Sequence, residues 1–306
     1  MERAGFVAIV GLPNVGKSTL LNRVLGRRLV AVSSKPQTTR DRILGIHNVQ
    51  IEGGHAQIAY VDTPGVQDGH GPLRKYMQQG ALDAAADADV VLMMIDASWR
   101  SGRLPDRLGE ADIQKLANTS KHKRMVIALN KVDRVEKPEL LPVIEAWANA
   151  FPSAEIVPIS AETGENIDRL EQVLAKALPE APAMFPADQV TDRSPQFIAQ
   201  EIIREQLYHQ LGKELPYASA VIVEQWTERK GEVVIGAVIV VERETQKPIV
   251  VGKAGNRIRE LGIAARVALS EALGKPCHLS LFVKVQEEWS RTDAELKKLG
   301  YVGDSK

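Results

Sequence analysis

Residues 11–26 read GLPNVGKSTLLNRVLG, and a short apolar run, FVAIV at 6–10, leads straight into them. Gly11, Gly16, Lys17 and Ser18 satisfy the spacing G-x-x-x-x-G-K-[ST] between an expected strand and an expected helix. Glycines at those places let backbone N–H groups converge on an anion, and the helix N-terminus adds its dipole. A lysine there supplies a point charge to the β- and γ-phosphates, and the following hydroxyl can ligate Mg²⁺. The intervening Leu12, Pro13, Asn14 and Val15, with Thr19, complete the expected cradle. The stretch therefore predicts a nucleoside triphosphate site at the end of a buried strand.

The base is read from LNKVD, where Asn130, Lys131 and Asp133 follow the apolar run RMVIA. A carboxylate at Asp133 can accept from both N1–H and the exocyclic amine of guanine. Adenine offers an acceptor and no amine at those places, so a buried acceptor would be left unpaired. This argues against a metabolic ATP-dependent kinase. D-x-x-G occurs at Asp62–Gly65, Asp68–Gly71 and Asp106–Gly109, but only Asp62 ends a strand-like run, AQIAYV, where it could face the metal across from Ser18. Asp62-Thr63-Pro64-Gly65 is therefore chosen. In the loop KPQTTRDR at 35–42, Thr39 is favoured as the hydroxyl that closes on the metal, with Thr38 as the alternative. In ISAETGEN at 159–166, Ser160 and Ala161 are candidates to approach guanine O6 through backbone N–H groups.

Around these motifs the chain alternates short β-branched runs with amphipathic stretches. Strands are expected in FVAIV, RILGIHNVQ, AQIAYV, DVVLMMIDAS, RMVIALN and EIVPIS, and helices over 17–26, 72–86, 105–119, 138–150 and 166–178. EGGH between the second and third runs reads as a hairpin turn, so the sheet is mixed. The expectation is a doubly wound α/β domain over residues 1–178. Pro179, Pro182, Pro186 and Pro195 punctuate the polar segment that follows, and 179–194 is read as a linker.

Residues 195–306 then change pattern: a helix to about 211, two strands joined by Lys230-Gly231, a loop, a helix to about 273, a strand and a short tail helix. VVGKAGNRIREL places G-x-x-G, Gly252-Lys253-Ala254-Gly255, between a strand-like run and a helix. Such a turn admits close approach of a nucleic-acid backbone. Lys247, Lys253, Arg257 and Arg259 lie within 247–259 with no acid among them. This is a local basic cluster in a chain whose 39 basic and 39 acidic residues cancel. The order points to a small α+β RNA-binding module of the KH kind, type II. The single cysteine, Cys277, reads as a small buried hydrophobe and allows no internal disulfide. No run approaches the ~18 apolar residues of a membrane helix, and cytoplasmic residence is expected.

GLPNVGKST, QTTRDR, DTPG and NKVD, in this order, resemble the Ras-like GTPases of the bacterial branch of translation and assembly factors. Followed by GKAGNRIREL and LFVKVQEEW, they resemble a bacterial GTPase family with a C-terminal KH domain, over about residues 5–295. The resemblance implies GTP and GDP as ligands and Mg²⁺ on Ser18, Thr39 and Asp62. It also implies hydrolysis by a set including Lys17, Thr39, Asp62 and Gly65. Val66 stands where Ras-like enzymes carry the water-orienting glutamine, so slow hydrolysis suited to a switch is expected. K⁺ on Asn14 is the candidate substitute for the missing charge. The resemblance further implies binding of the 3′ region of small-subunit ribosomal RNA by the KH domain, at Lys247, Gly252, Lys253, Ala254, Gly255, Arg257 and Arg259. A role in small ribosomal subunit assembly follows, as a monomer, without DNA. The tail SRTDAELKKLGYVGDSK carries a weak amphipathic pattern that admits peripheral contact with the inner face of the cell membrane.

Overall fold

The computed structural model describes residues 2–33, 35, 38–65, 71–98, 123–212 and 214–301. The helix expected at 105–119, Val66, and the D-x-x-G stretches beginning at Asp68 and Asp106 lie outside the described residues. The chain forms two compact units. The first gathers Met1–Gly26, Thr39–Asp68 and Met77–Asp192; the second gathers Arg27–Thr38, Gly69–Tyr76 and Arg193–Lys306.

The first unit is built on a six-stranded sheet: β1 (Glu2–Val10), β2 (Ile43–Ile51), β3 (Gly54–Asp62), β4 (Val90–Asp96), β5 (Arg124–Asn130) and β6 (Glu155–Pro158), in the order β2-β3-β1-β4-β5-β6. Only β2 runs antiparallel to its neighbour β3, through the expected hairpin at 52–53. β4 is buried along its whole length, as a central parallel strand covered on both faces must be. α1 (Lys17–Leu25) and α4 (Ile167–Ala177) pack over one face. On the other face, Ala81, Ala84, Ala85 and Ala88 of and just beyond α2 (Pro72–Asp87) and Trp147 of α3 (Lys137–Ala150) close over Ala8, Val10, Val91, Met93, Ile95, Ile127 and Leu129. The alanines let α2 approach the sheet closely.

The proline-dense segment holds no helix or strand, yet residues up to Asp192 belong to the first unit and are pinned to it. Buried Gln57 of β3 accepts from Met184 N (2.8 Å) and Phe185 N (2.9 Å) and donates to Phe185 O (2.9 Å). Ile46 N donates to Val190 O (2.8 Å), and Thr191 Oγ1 to Leu44 O (2.6 Å). Prolines forbid regular structure but not side-chain anchoring, so the segment is a strap rather than a free tether.

The second unit carries the three-stranded sheet β7 (Ser219–Arg229), β8 (Glu232–Val241), β9 (Cys277–Val285), with β8 antiparallel to β7 and parallel to β9. α5 (Pro195–Gln210) starts at Ser194, whose Oγ accepts from Phe197 N (3.2 Å). It packs with α7 (Asn256–Leu273) against the sheet through Ile202, Ile203, Leu207, Leu261, Ala265 and Leu269. Cys277 is buried and its thiol is pushed up by that burial, as expected of a packing residue. KPIVV, read as strand-like, is instead a short helix, α6 (Lys247–Val251). Its apolar run is too short for periodicity to separate the two, and Pro248 favours a first helical turn. The tail helix α8 (Asp293–Lys298) buries Leu296, and Tyr301 stacks on buried Trp289 at 5.9 Å between centroids. Its apolar side is thus used within the unit. No described helix is long and apolar enough to cross a membrane.

Candidate functional site

The parallel strands β3, β1, β4 and β5 all end at one edge of the sheet, and each ends in a motif: Asp62, Val10 leading to Gly11, Asp96 and Asn130. In open α/β sheets ligands bind at this edge. Between β1 and α1 the phosphate loop turns through Gly11 (φ 152°), Asn14 (φ 63°) and Gly16 (φ 101°). A Cβ on Gly16 would overlap Asn130 Nδ2, so glycine is required there by close approach as well as by φ. Gly65 likewise lies against the loop, where a Cβ would stand 2.7 Å from Pro13 N.

Lys17 is buried, and its ammonium bridges the loop's own carbonyls, donating to Gly11 O (3.1 Å) and Leu12 O (2.9 Å). Burial lowers its pKa to about 8, against the opposing pull of Asp62. Ser18, Thr39 and Asp62 converge. Ser18 Oγ lies 2.8 Å from Thr39 Oγ1 and donates to Asp62 Oδ2 at 2.9 Å, and Thr39 Oγ1 reaches the same oxygen at 3.5 Å. Thr38 turns away, donating to Lys35 O (2.8 Å). Asp62 Oδ1 is buried without a hydrogen-bond partner among the described residues. Two hydroxyls and a carboxylate with one orphaned oxygen form an all-oxygen donor set that suits a hard divalent cation such as Mg²⁺.

The base loop is organised by Asn130. Its Nδ2 donates to Val15 O (2.7 Å) and its Oδ1 accepts from Ala161 N (2.8 Å), tying three loops together. The amides of Ser160 and Ala161, expected to reach toward a base, are engaged within the chain by Glu165 O and Asn130 Oδ1 respectively. Arg23 Nε secures Ala161 O (3.1 Å). Asp133 is exposed, in a single helical turn, 3.7 Å from Arg134 Nε.

Two contributors were not foreseen. Asp96 closes β4 and pairs with Lys131 (2.6 Å), and Thr63 Oγ1 holds Ile9 O (2.7 Å) beneath the phosphate loop. For Asp96 the available signal was an acid ending a wholly apolar strand in register with Asn130.

In the second unit, Gly252 (φ 76°), Ala254 (φ 53°) and Gly255 (φ 77°) form a turn with positive φ between α6 and α7. A Cβ on Gly252 would lie 2.6 Å from that of Arg257. Lys247, Lys253, Arg257 and Arg259 are all exposed around it. Arg257 is not wholly free for a ligand, because its Nη1 donates to Ile249 O (2.7 Å) and staples α6 to α7.

A family model described as 50S ribosome-binding GTPase matches residues 6–131, and one described as KH domain matches residues 214–290. Fold and site define a P-loop GTPase with a C-terminal KH domain. The chain is 46% identical to the GTPase Era of Geobacter metallireducens over 98% of both chains, and 43% identical to that of Pseudomonas fluorescens over 98% of this chain and 97% of its relative. It belongs to the Era family of GTPases and hydrolyses GTP. It is also similar to a solved Aquifex aeolicus Era variant bound to GDP·AlF4⁻ (TM-score 0.89, 38% identity, 98% of this chain and all of the other). A second solved Era, in complex with MgGDPNP and nucleotides 1506–1542 of 16S ribosomal RNA, matches with TM-score 0.91 and 38% identity over 99% of this chain and all of the other.

Burial pushes the Asp62 carboxyl up to about 6, although Lys17 and the hydrogen bonds from Ser18, Thr39 and Thr63 favour its charge. A carboxyl that holds its proton more tightly when folded favours folding at low pH. That contribution is complete below about 4 and is lost as the pH rises through about 6, on the order of 3 kcal/mol in all. Without nucleotide or metal, Asp62→Asn is expected to flatten this loss and to exceed the wild type in stability at pH 7. Urea unfolding of both proteins from pH 4 to 7 measures it, and parallel curves would contradict the assignment.

Proposed function

We propose that this chain is a GTP-controlled binder of small-subunit ribosomal RNA that assists assembly of the small ribosomal subunit. The nucleotide site occupies residues 1–178 and the RNA-binding domain residues 195–306, joined by 179–194. The observation that carries the RNA reading is the G-x-x-G turn flanked by exposed Lys247, Lys253, Arg257 and Arg259, with no acid between residues 247 and 259. The 16S ribosomal RNA in the solved Era complex supports it, and favours the small subunit over the large one in the family model's description.

On this reading Gly11–Thr19 cradle the phosphates, and Lys17 moves from the loop carbonyls to the β- and γ-phosphates. Ser18, Thr39 and Asp62 would hold Mg²⁺, which when bound neutralises phosphate charge in the transition state. Asp133 reads guanine, while Asn130 and Lys131 brace the loops that present it. Gly65, close against Pro13, lets the chain after β3 approach the γ-phosphate. Loss of the γ-phosphate would release Thr39 and Gly65, the switching step. The protein works as a monomer in the cytoplasm.

Asp133→Asn is expected to weaken GTP binding by about 1–3 kcal/mol and to shift preference toward xanthine nucleotides, since the amide donates where the carboxylate accepted. Competition binding with GTP and XTP reads this, and unaltered GTP affinity would remove Asp133 as the base reader.

Because Arg257 staples α6 to α7, the RNA test is placed on Lys247 and Lys253. Lys247→Glu with Lys253→Glu is expected to weaken binding of single-stranded RNA and to reduce the salt slope by about 0.7 per lost phosphate contact, leaving GTP binding intact. An unaltered affinity and slope would put the RNA elsewhere.

Asn14, in the left-handed region within the phosphate loop, is proposed to hold K⁺ beside the phosphates, supplying positive charge to the transition state. Faster hydrolysis in KCl than in NaCl at equal ionic strength, lost in Asn14→Ala, is the expected result. Equal rates in the two salts would exclude the ion.

A further inference from the structure

Asp96 belongs to none of the motifs that define the nucleotide site, yet it is 7% exposed and placed at the centre of the sheet edge. It closes β4 directly beside Asn130 of β5, and Ala97 N donates to Asn130 O at 2.8 Å. Its two carboxylate oxygens have separate tasks. Oδ1 accepts from Ser98 N (3.0 Å) and Ser98 Oγ (2.6 Å), which fixes the side chain's direction. Oδ2 faces the Lys131 ammonium at 2.6 Å. The same ammonium donates to Asn14 O at 2.7 Å. Lys131 and Asn14 are both non-glycine residues in the left-handed region, with φ of 68° and 63°. Such conformations are disfavoured and persist where surrounding contacts hold them. One ammonium thus joins two disfavoured backbone positions, one in the base loop and one in the phosphate loop.

We propose that Asp96 is a positioning residue for the guanine nucleotide, holding the Lys131 ammonium on the Asn14 carbonyl so that the base loop and the phosphate loop keep a fixed spacing. The proposal rests on the reading of residues 11–19 and 130–133 as the nucleotide site. A lysine is flexible and strongly hydrated, and in the absence of a charged anchor its ammonium has many solvated positions. The buried carboxylate removes those alternatives before the ligand arrives. A nucleotide spans both loops, so its affinity depends on their spacing, whereas the hydrolytic groups Lys17, Ser18, Thr39 and Asp62 do not touch Asp96. The role therefore concerns retention of GDP and GTP alike.

The test uses the full chain with Mg²⁺ and a fluorescent N-methylanthraniloyl-GDP. Asp96→Asn keeps the shape and the acceptor toward Ser98 while removing the charge. Release is expected to accelerate about tenfold to hundredfold, the range for losing a charge-assisted hydrogen bond. In a Lys131→Met background, adding Asp96→Asn is expected to change release by less than about twofold, because the carboxylate acts through that lysine. Wild-type release in Asp96→Asn would overturn the proposal. So would equal acceleration in both backgrounds, which is what a general loosening of the sheet edge produces. If Asp96→Asn does not fold, Asp96→Ser carries the same expectation and the same two contradictory outcomes. A shift of Asp133→Asn toward xanthine nucleotides together with wild-type release in Asp96→Asn would leave the site reading intact and remove only this inference; no shift in Asp133→Asn would remove the reading beneath it.

Discussion

A buried ammonium at the end of a buried strand is the constraint around which the nucleotide-binding unit is arranged. Lys17 has been taken out of water and, among the described residues, meets two carbonyl oxygens of its own loop with a carboxylate nearby. Neutral carbonyls do not compensate for the lost hydration of a cation, and the depressed pKa registers the deficit. Across from it Asp62 is equally dehydrated, with one oxygen held by Ser18 and the other unpartnered among the described residues. Each charge lacks what a polyphosphate with a divalent cation would bring. The apoprotein thus carries an electrostatic deficit that its ligand relieves, the converse of a surface optimised for stability.

The sheet topology makes such an arrangement affordable. Adjacent parallel strands deliver Asp62, the phosphate loop, Asp96 and Asn130 to one edge in a fixed lateral order, and the hydrophobic layers on both faces hold those strand ends rigid. Cross-loop bonds then set the fine spacing: Thr63 to Ile9, Asn130 to Val15 and Ala161, Lys131 to Asn14 and Asp96. In the other unit the same economy appears in a simpler form. A turn with positive φ at three of its four residues leaves backbone accessible, and basic side chains surround it.

Much of this was legible in the sequence because it depends on local rules. Gly16 is demanded by the turn itself, Asp62 stands at the end of a strand that alternation and β-branching announce, and the hairpin at 52–53 has its glycine. The G-x-x-G turn followed by a basic helix could be read in the same way. What escaped were contacts between segments distant in the chain. The anchoring of 184–191 on the Gln57 side chain and on the backbone of Ile46 and Leu44 depends on groups more than a hundred residues away, so proline content alone suggested a linker without these attachments. The helix at Lys247–Val251 was missed because five apolar-rich residues carry no usable period. The amides of Ser160 and Ala161 are engaged by partners that no spacing rule names, and Asp96 acquires meaning only when β4 and β5 are placed side by side.

The claim that Lys17 waits as a partly neutral, dehydrated amine is tested by counting protons. Titration calorimetry of the full chain with Mg·GDP at pH 8, repeated in buffers of different ionisation enthalpy, reads the number taken up on binding. With the free-state pKa at about 8, full protonation by the bound phosphates requires uptake of about half a proton per nucleotide at pH 8, where the Asp62 carboxyl is already ionised. Binding heats that are the same in every buffer at pH 8 would show that the ammonium is fully charged beforehand and would contradict the account.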